Sequence, residues 1–455
     1  MIKSVFKFTF NYTVANIISK LANFIILPFI SYFISAEEFG IYSLIISYTI
    51  IVTVFSELGT HFYFQTKYLN STNYKYIDLS FSFLILNSLI AFFIFSIFSP
   101  FLSYFLFGNF NLITLIILSL LGYVLETIAN FGSLILKIQN NDKFLYIISL
   151  LNFITQLIIL PIFILIFKLN IISFFITQIL SNLLIIIYLH KQIGFKIKID
   201  FNFNEYKNFL ILSIPILFTN LLTLGIDISD RYILNLFSTK TEIGIYSFAY
   251  KFASLIKIVS HSFLPAFLSV SLKQGNNNKI LENNFYKITF IFISLACSIF
   301  VLTDLFFQLH IFNNEYNTKS IIYLILNLSY SFYGIINFFY FYPYSVEKPS
   351  IILISDIIGF LSNILLNILL IPIYGILGAA IATLFSYFLI SLYLYYVVHK
   401  ALNFNIDFNK LSILVALFFT SFVILYLFNN LLINIFIFIT LNTLLYLIIK
   451  RSKYA

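Results

Sequence analysis

Long uninterrupted apolar stretches constrain this chain more than any other feature of its sequence. Of its 455 residues 61% are hydrophobic and only 9% are charged, which is too little charge to cover a soluble domain. A bilayer accepts such stretches as helices, because unpaired backbone groups are costly in hydrocarbon. We therefore predict an all-α integral membrane protein with about 14 transmembrane helices. The predicted spans are 8–34, 40–62, 78–106, 110–136, 144–167, 170–189, 208–236, 243–268, 285–309, 320–345, 350–373, 375–398, 411–428 and 431–449.

The placement of lysine and arginine predicts the orientation of these spans. With a cytoplasmic N-terminus, 19 of the 26 Lys and Arg residues fall in cytoplasmic segments, three fall in outside loops and four lie inside spans. The positive-inside rule then favours both termini in the cytoplasm and an even number of spans. The net charge of +9 is explained by this topology and by contact with anionic membrane lipid, so no nucleic-acid partner is needed.

Several classes of site and activity are disfavoured by the sequence. The single cysteine, Cys297, excludes an intramolecular disulfide and a four-cysteine metal site. No P-loop is present, and we expect neither a metal nor a cofactor. No predicted outside loop exceeds about ten residues once the spans are placed. There is no room for a soluble catalytic domain, so we expect no enzymatic activity.

An internal repeat organises the predicted spans. The segment Glu-Phe-Gly-Ile-Tyr-Ser at 38–43 recurs as Glu-Ile-Gly-Ile-Tyr-Ser at 242–247, an offset of 204 residues. Six spans separate the two copies, so both halves have the same orientation in the membrane. This predicts two parallel six-helix lobes around a central cavity, at 1–200 and 201–403, followed by a C-terminal helix pair at 404–455.

Cations inside the predicted spans are candidates for lining that cavity, because ionisable groups at membrane depth are costly unless they are hydrated or paired. Lys20 lies too far from either end of the first span to reach the interface easily. Three further cations lie in spans 7 and 8 of the second lobe. The predicted substrate-binding cations are therefore Lys20, Arg231, Lys251 and Lys257.

Two carboxylates inside the predicted spans, Glu126 and Asp227, are candidates for coupling transport to a proton or an ion. Each has an alternative structural role. Glu126 could pair with Lys20, and Asp227 could neutralise Arg231, which lies four residues further along the same helix face. Glu57 and His61 are predicted to lie near the membrane interface.

Three motifs carry a resemblance to a known family. Residues 28–42 end in Glu-Glu-Phe-Gly-Ile-Tyr, and residues 230–251 contain an Asp-Arg pair followed by Gly-Ile-Tyr-Ser-Phe-Ala-Tyr-Lys. Residues 372–383 read Pro-Ile-Tyr-Gly-Ile-Leu-Gly-Ala-Ala-Ile-Ala-Thr. Together they resemble the polysaccharide transporter family of O-antigen and capsule repeat-unit flippases, whose superfamily also contains the multidrug-and-toxin-extrusion transporters. One departure is Ser31, where an arginine is common in the family.

The resemblance implies a flippase in the bacterial inner membrane. Its substrate would be a polyprenyl-pyrophosphate-linked oligosaccharide for O antigen, lipopolysaccharide, capsule or a related polysaccharide, moved to the outer leaflet by alternating access. A polysaccharide polymerase is an implied partner. Three alternatives stay open: a drug/cation antiporter of the sister family, a membrane-bound polymerase or ligase, and a lipid II flippase.

Overall fold

The computed structural model describes residues 22–71, 75–139, 142–193, 203–274, 278–318 and 320–407, with Thr440 and Thr443. Within these ranges the protein is helical and contains no β-strand, which confirms the predicted all-α class. A π-helical turn lies at Thr155–Ile159, and a 3₁₀ turn lies at Asn314–Tyr316. The α-helices are α1 Leu27–Phe33, α2 Ala36–Glu57, α3 Thr60–Ser71, α4 Lys75–Ile97, α5 Ser99–Phe107, α6 Ile113–Ile138, α7 Asp142–Ile154, α8 Leu160–Leu165, α9 Ile172–Ile193, α10 Phe203–Phe237, α11 Lys240–Gln274, α12 Asn278–Gln308, α13 Ser320–Phe339, α14 Phe341–Ser345, α15 Pro349–Tyr374 and α16 Ile376–Leu402.

Eleven helical segments in the described ranges are long and apolar enough to cross a membrane. They coincide one for one with predicted spans 2 to 12, with boundaries that differ by up to nine residues. The first predicted span, 8–34, is described only from residue 22, where a shorter apolar helix, Ala22–Phe33, lies. The predicted spans 411–428 and 431–449 lie outside the described residues.

The chain forms two compact units, 1–224 and 225–455. Corresponding helices begin at the same offset in each unit: α2 and α11 begin at 36 and 240, and α9 and α16 begin at 172 and 376. Corresponding pairs also pack together. In the first unit α2 contacts α4 and α6, and α6 contacts α9; in the second, α11 contacts α12 and α13, and α13 contacts α16. The six-residue sequence match is therefore part of a repeat in helix order and packing.

The repeated segment begins each time with the same helix cap. In α2 the Ser35 hydroxyl accepts a bond from the Glu38 backbone N–H (3.2 Å), and the Glu38 carboxylate accepts one from the Ser35 N–H (3.1 Å). In α11 the equivalent bonds join Thr239 and Glu242, at 3.2 and 3.1 Å. Each reciprocal pair satisfies two backbone donors that the first turn of a helix leaves unbonded. The glutamates of the repeat thus have a structural function.

Small residues allow close contact between α15 and α16. Gly375 ends α15 with a φ of +55°. A Cβ atom on Gly378 would lie 2.4 Å from the carbonyl oxygen of Leu370, and Ala379 and Ala380 are fully buried. The Gly-Ala-Ala segment therefore lets the two helices pack closely.

A break in the second span separates α2 from α3. Leu58 and Gly59 both have left-handed backbone angles, with φ of +41° and +70°. A Cβ atom on Gly59 would lie 2.9 Å from the Cβ of Ser213 on α10. The break is therefore held by a close contact that only glycine fits.

Candidate functional site

The structure brings most of the predicted charged residues into one cluster in the second unit. Asp227 and Arg231 lie on α10, while Lys251 and Lys257 lie on α11. The remaining predicted cation, Lys20, lies outside the described residues. The cluster also contains Asp230, so three cations face two carboxylates.

Asp227 is the centre of this cluster. Its Oδ2 is bonded and ion-paired to the ammonium of Lys257. Its Oδ1 accepts hydrogen bonds from three tyrosine hydroxyls on three different helices, at 3.0–3.2 Å. The donors are Tyr250 on α11, Tyr330 on α13 and Tyr387 on α16. One carboxylate thus ties α10 to three neighbouring helices of the same unit.

Arg231 is held by a different carboxylate from the one expected. Its Nη1 donates to the backbone carbonyl of Asp227 at 2.7 Å and lies 3.7 Å from the carboxylate of Asp230. The guanidinium also lies 4.6 Å from the ring centroid of Tyr250, and its Nε donates to Ser247 at 3.3 Å. The alternative in which Asp227 and Arg231 neutralise each other is therefore wrong, because the Asp227 carboxylate is turned towards Lys257.

Asp230 is fully buried and, besides its contact with Arg231, accepts a hydrogen bond from a tyrosine. The Tyr246 hydroxyl donates to its Oδ2 at 2.6 Å, and both side chains are fully shielded from solvent. Burial of a carboxylate requires compensation by donors or opposite charge. The Arg231 guanidinium and the Tyr246 hydroxyl provide both.

Lys251 is the unsatisfied cation of the cluster. In the described part of the chain, no acceptor or carboxylate contacts its ammonium, although the side chain is only partly exposed. The neighbouring charge of Arg231 repels it. A partly buried ammonium with a like charge nearby favours the binding of an anion.

Lys257 has an aromatic environment as well as its ion pair. Its ammonium lies 5.3 Å from the ring centroid of Tyr333 and 5.8 Å from that of Tyr330. Aromatic faces stabilise a cation but do not satisfy its hydrogen bonds. An incoming anion could therefore compete with Asp227 for Lys257 without stripping away its other contacts.

The tyrosines of the cluster were not predicted as site residues. Tyr246, Tyr250 and Lys257 are spaced at intervals of four and seven, which places them on one helix face. That spacing was a usable signal. Tyr330 and Tyr387 have no local signal, because they reach Asp227 from helices that lie more than 100 residues away in sequence.

Glu126, the other predicted coupling carboxylate, lies on α6 of the first unit. Its Oε2 accepts a hydrogen bond from Gln178 Nε2 on α9 at 2.8 Å. The Glu126 carboxylate interacts electrostatically with Tyr42, Tyr123 and Glu57. Its predicted pairing with Lys20 involves a residue outside the described ranges.

No group of three or more His, Cys, Asp or Glu side chains that could hold a metal ion occurs among the described residues. The chemistry of the second-unit cluster is that of ion pairs and tyrosine hydroxyls. Such groups can bind an anion and hydroxyl-rich sugars.

Comparison with known proteins decides the family. The family described as "Polysaccharide biosynthesis protein" matches residues 29–320, more than half of the chain. The chain belongs to this family. The capsular polysaccharide biosynthesis protein CapF of Staphylococcus aureus is 28% identical in an alignment of 414 residues that covers 85% of this chain and 98% of CapF.

Solved structures show the fold of this family member. An inward closed structure of the lipid II flippase MurJ matches with a TM-score of 0.76 at 21% identity, covering 98% of this chain and 99% of that one. An inward-facing multidrug resistance MATE transporter of the MOP superfamily matches with a TM-score of 0.68 at 13% identity, covering 86% and 94%. The chain is thus a multi-pass membrane protein with the fold of these transporters and flippases, as the sequence motifs predicted.

Proposed function

We propose that this protein is a flippase that moves a polyprenyl-pyrophosphate-linked oligosaccharide from the inner to the outer leaflet of the bacterial inner membrane. The observation that carries the proposal is the partly buried ammonium of Lys251, which is repelled by Arg231 and contacts no carboxylate in the described part of the chain. The family assignment to polysaccharide biosynthesis and the flippase-like fold support the same substrate class.

The second-unit cluster would receive the pyrophosphate. With three cations and two carboxylates, it has an excess of one positive charge. The first phosphate oxygen would bind Lys251, and a second would take Lys257 from Asp227. Charge-assisted bonds of this kind are strong where water is partly excluded. Tyrosine side chains around the cluster are proposed to contact the sugar hydroxyls.

The remaining architecture is proposed to follow the sequence prediction. Fourteen helices would form two six-helix lobes and a C-terminal pair, with both termini in the cytoplasm and Lys20 as a cation of the first lobe. Reporter fusions at Gly108 and Gly275 test this orientation, since they should lie outside and inside respectively. A polysaccharide polymerase would use the product on the outer side.

The paired state of the acidic residues weighs against a drug/cation antiporter. Such an exporter needs carboxylates that are free to bind a cationic substrate. Here Asp227 is bonded to Lys257, and Asp230 lies against Arg231. The charge available to a substrate is that of Lys251, which would repel a cationic drug.

Deletion of the gene tests the proposal in cells. Surface polysaccharide should be lost, and its lipid-linked oligosaccharide should accumulate on the cytoplasmic side. Plasmid-borne Lys251→Ala and Lys20→Ala variants should insert normally yet fail to restore the polysaccharide. Unchanged surface polysaccharide in the deletion strain, with no accumulated intermediate, would refute the proposal.

A further inference from the structure

A histidine and a glutamate face each other across the break between α2 and α3. His61 Nδ1 lies 3.5 Å from Glu57 Oε2, with 29% and 27% of the two side chains exposed. Between them lie Leu58 and Gly59, whose left-handed backbone interrupts the helix. The sequence prediction treated Glu57 and His61 as interfacial. The structure joins the two side chains into a pair within the apolar helical segment Ala36–Tyr68.

One side of the His61 ring has a buried, unused nitrogen. Its Nε2 is buried and has no hydrogen-bond partner among the described residues. The ring is stacked on Phe131 of α6, with centroids 5.9 Å apart. A neutral imidazole that turns its Nδ1 proton towards Glu57 keeps a lone pair on Nε2, which can accept a proton.

Other polar atoms near the break are also unsatisfied. The hydroxyls of Ser56 and Ser213 are buried, and within the described ranges neither has a hydrogen-bond partner. Ser213 packs directly on Gly59, which lies between Glu57 and His61 in the sequence. Buried polar atoms normally find a partner in protein or ordered water. The break is therefore surrounded by polar groups that have unused hydrogen-bonding capacity.

The titratable groups around the pair are mostly acidic. From α6, Glu126 lies within electrostatic reach of Glu57, with Tyr123 beside it. The carboxylate of Glu205 on α10 accepts a hydrogen bond from the hydroxyl of Tyr63 on α3 (3.3 Å). Asp78 of α4 and, on α3 itself, Lys67 make no ion pair with Glu57 or His61. In the described part of the chain, no lysine or arginine pairs with Glu57 or Glu126.

We propose that Glu57, His61 and Glu126 form a proton-binding site that couples flipping to a proton gradient. Without the extra proton the site holds two carboxylates and a neutral imidazole. A proton arriving at Nε2 converts His61 to an imidazolium that pairs with Glu57 and reduces the repulsion between Glu57 and Glu126. The imidazole is the side chain whose charge ordinarily changes between about pH 5 and pH 8. Proton binding is argued from the geometry alone, while coupling to flipping rests on the proposed function.

The first test measures proton binding without any substrate. The full-length protein carries five histidines, so a ¹⁵N-histidine NMR spectrum in lipid nanodiscs can be assigned by His→Gln substitution. The His61 signal should report a change of protonation state as the pH is lowered. In Glu57→Gln and in Glu126→Gln the charged fraction near the midpoint should fall, because a carboxylate that stabilises the imidazolium is lost. His190, exposed near the end of α9, provides the matched control and should respond to neither substitution. A His61 signal that stays in one state, or that ignores both substitutions, would overturn the site.

The second test measures coupling. Proteoliposomes are loaded with the lipid-linked oligosaccharide extracted from producing cells, and flipping is compared with and without an imposed pH gradient. The ratio of the two rates should differ from one in the wild type and in His190→Gln, and should approach one in His61→Gln. Flipping that ignores the gradient in the wild type would overturn coupling but leave the flippase proposal intact. Absence of flipping in every condition would instead count against the proposed function.

Discussion

The ammonium of Lys257 on α11 is ion-paired with the carboxylate of Asp227 on α10, and the other oxygen of that carboxylate receives three tyrosine hydroxyls. This arrangement predicts a large stability loss on Asp227→Asn, about 2 kcal/mol or more, because a desolvated cation is left unpaired. Thermal unfolding of the detergent-solubilised protein measures it. The double variant Asp227→Asn/Lys257→Met should recover part of the loss, since the unpaired charge is gone. Equal stability of the single variant and the wild type would contradict the assigned pairing.

Substitution of Lys251 is expected to affect function but not stability. Because its ammonium has no protein partner in the described ranges, Lys251→Gln should change the free energy of unfolding by no more than about 0.5 kcal/mol. Surface polysaccharide in a complementation assay should nevertheless be lost. Lys400→Gln is the matched control, since Lys400 is exposed at the end of α16 and should retain full complementation. Retained function in Lys251→Gln would remove Lys251 from the proposed site.

The two capping boxes predict matched effects in the two units. Ser35→Ala and Thr239→Ala should each cost about 0.5–2 kcal/mol of stability, because each leaves an N-terminal backbone N–H without its acceptor. Replacement of Ser35 by Thr, the residue used in the second copy, should cost much less. Thermal unfolding measures all three variants. A neutral Ser35→Ala would show that the bonds at this cap do not stabilise the helix.

Two glycines with the same φ angle distinguish the cost of a left-handed backbone from the cost of a steric contact. Gly59 and Gly108 both have a φ of +70°, but an added Cβ would strike Ser213 at Gly59 and meet nothing within 4 Å at Gly108. Gly108→Ala should therefore cost roughly the 1–2 kcal/mol expected for a left-handed alanine. Gly59→Ala should cost more and should alter the break that carries Glu57 and His61. Equal stability losses in the two variants would show that the contact with Ser213 relaxes freely.

Sequence patterns predicted the helices of this protein better than its site. Uninterrupted apolar stretches identified spans 2 to 12, because lipid-exposed helices need continuous hydrophobic surface. The spacing of Ser35 and Glu38, and of Thr239 and Glu242, also contained the capping boxes. These are local features, and local features can be predicted from a single sequence.

The partners of the charged residues depend on contacts distant in sequence and were not predictable in the same way. Asp227 has Arg231 one turn away, yet its side chain points to Lys257, 30 residues further along. Tyr387 lies 160 residues from the carboxylate it contacts. The pairing of Glu57 and His61 did follow helical spacing, but its importance depends on the backbone break and on the stacking against Phe131.

The most direct test of the central claim is a flipping assay with the purified protein. A fluorescently labelled lipid-linked oligosaccharide is placed in proteoliposomes, and an impermeant quencher reports how much of it has reached the outer leaflet. Wild-type protein should move the lipid faster than protein-free liposomes do, and Lys251→Gln should reduce the rate to that background. Wild-type liposomes that move the lipid no faster than protein-free ones would contradict the account.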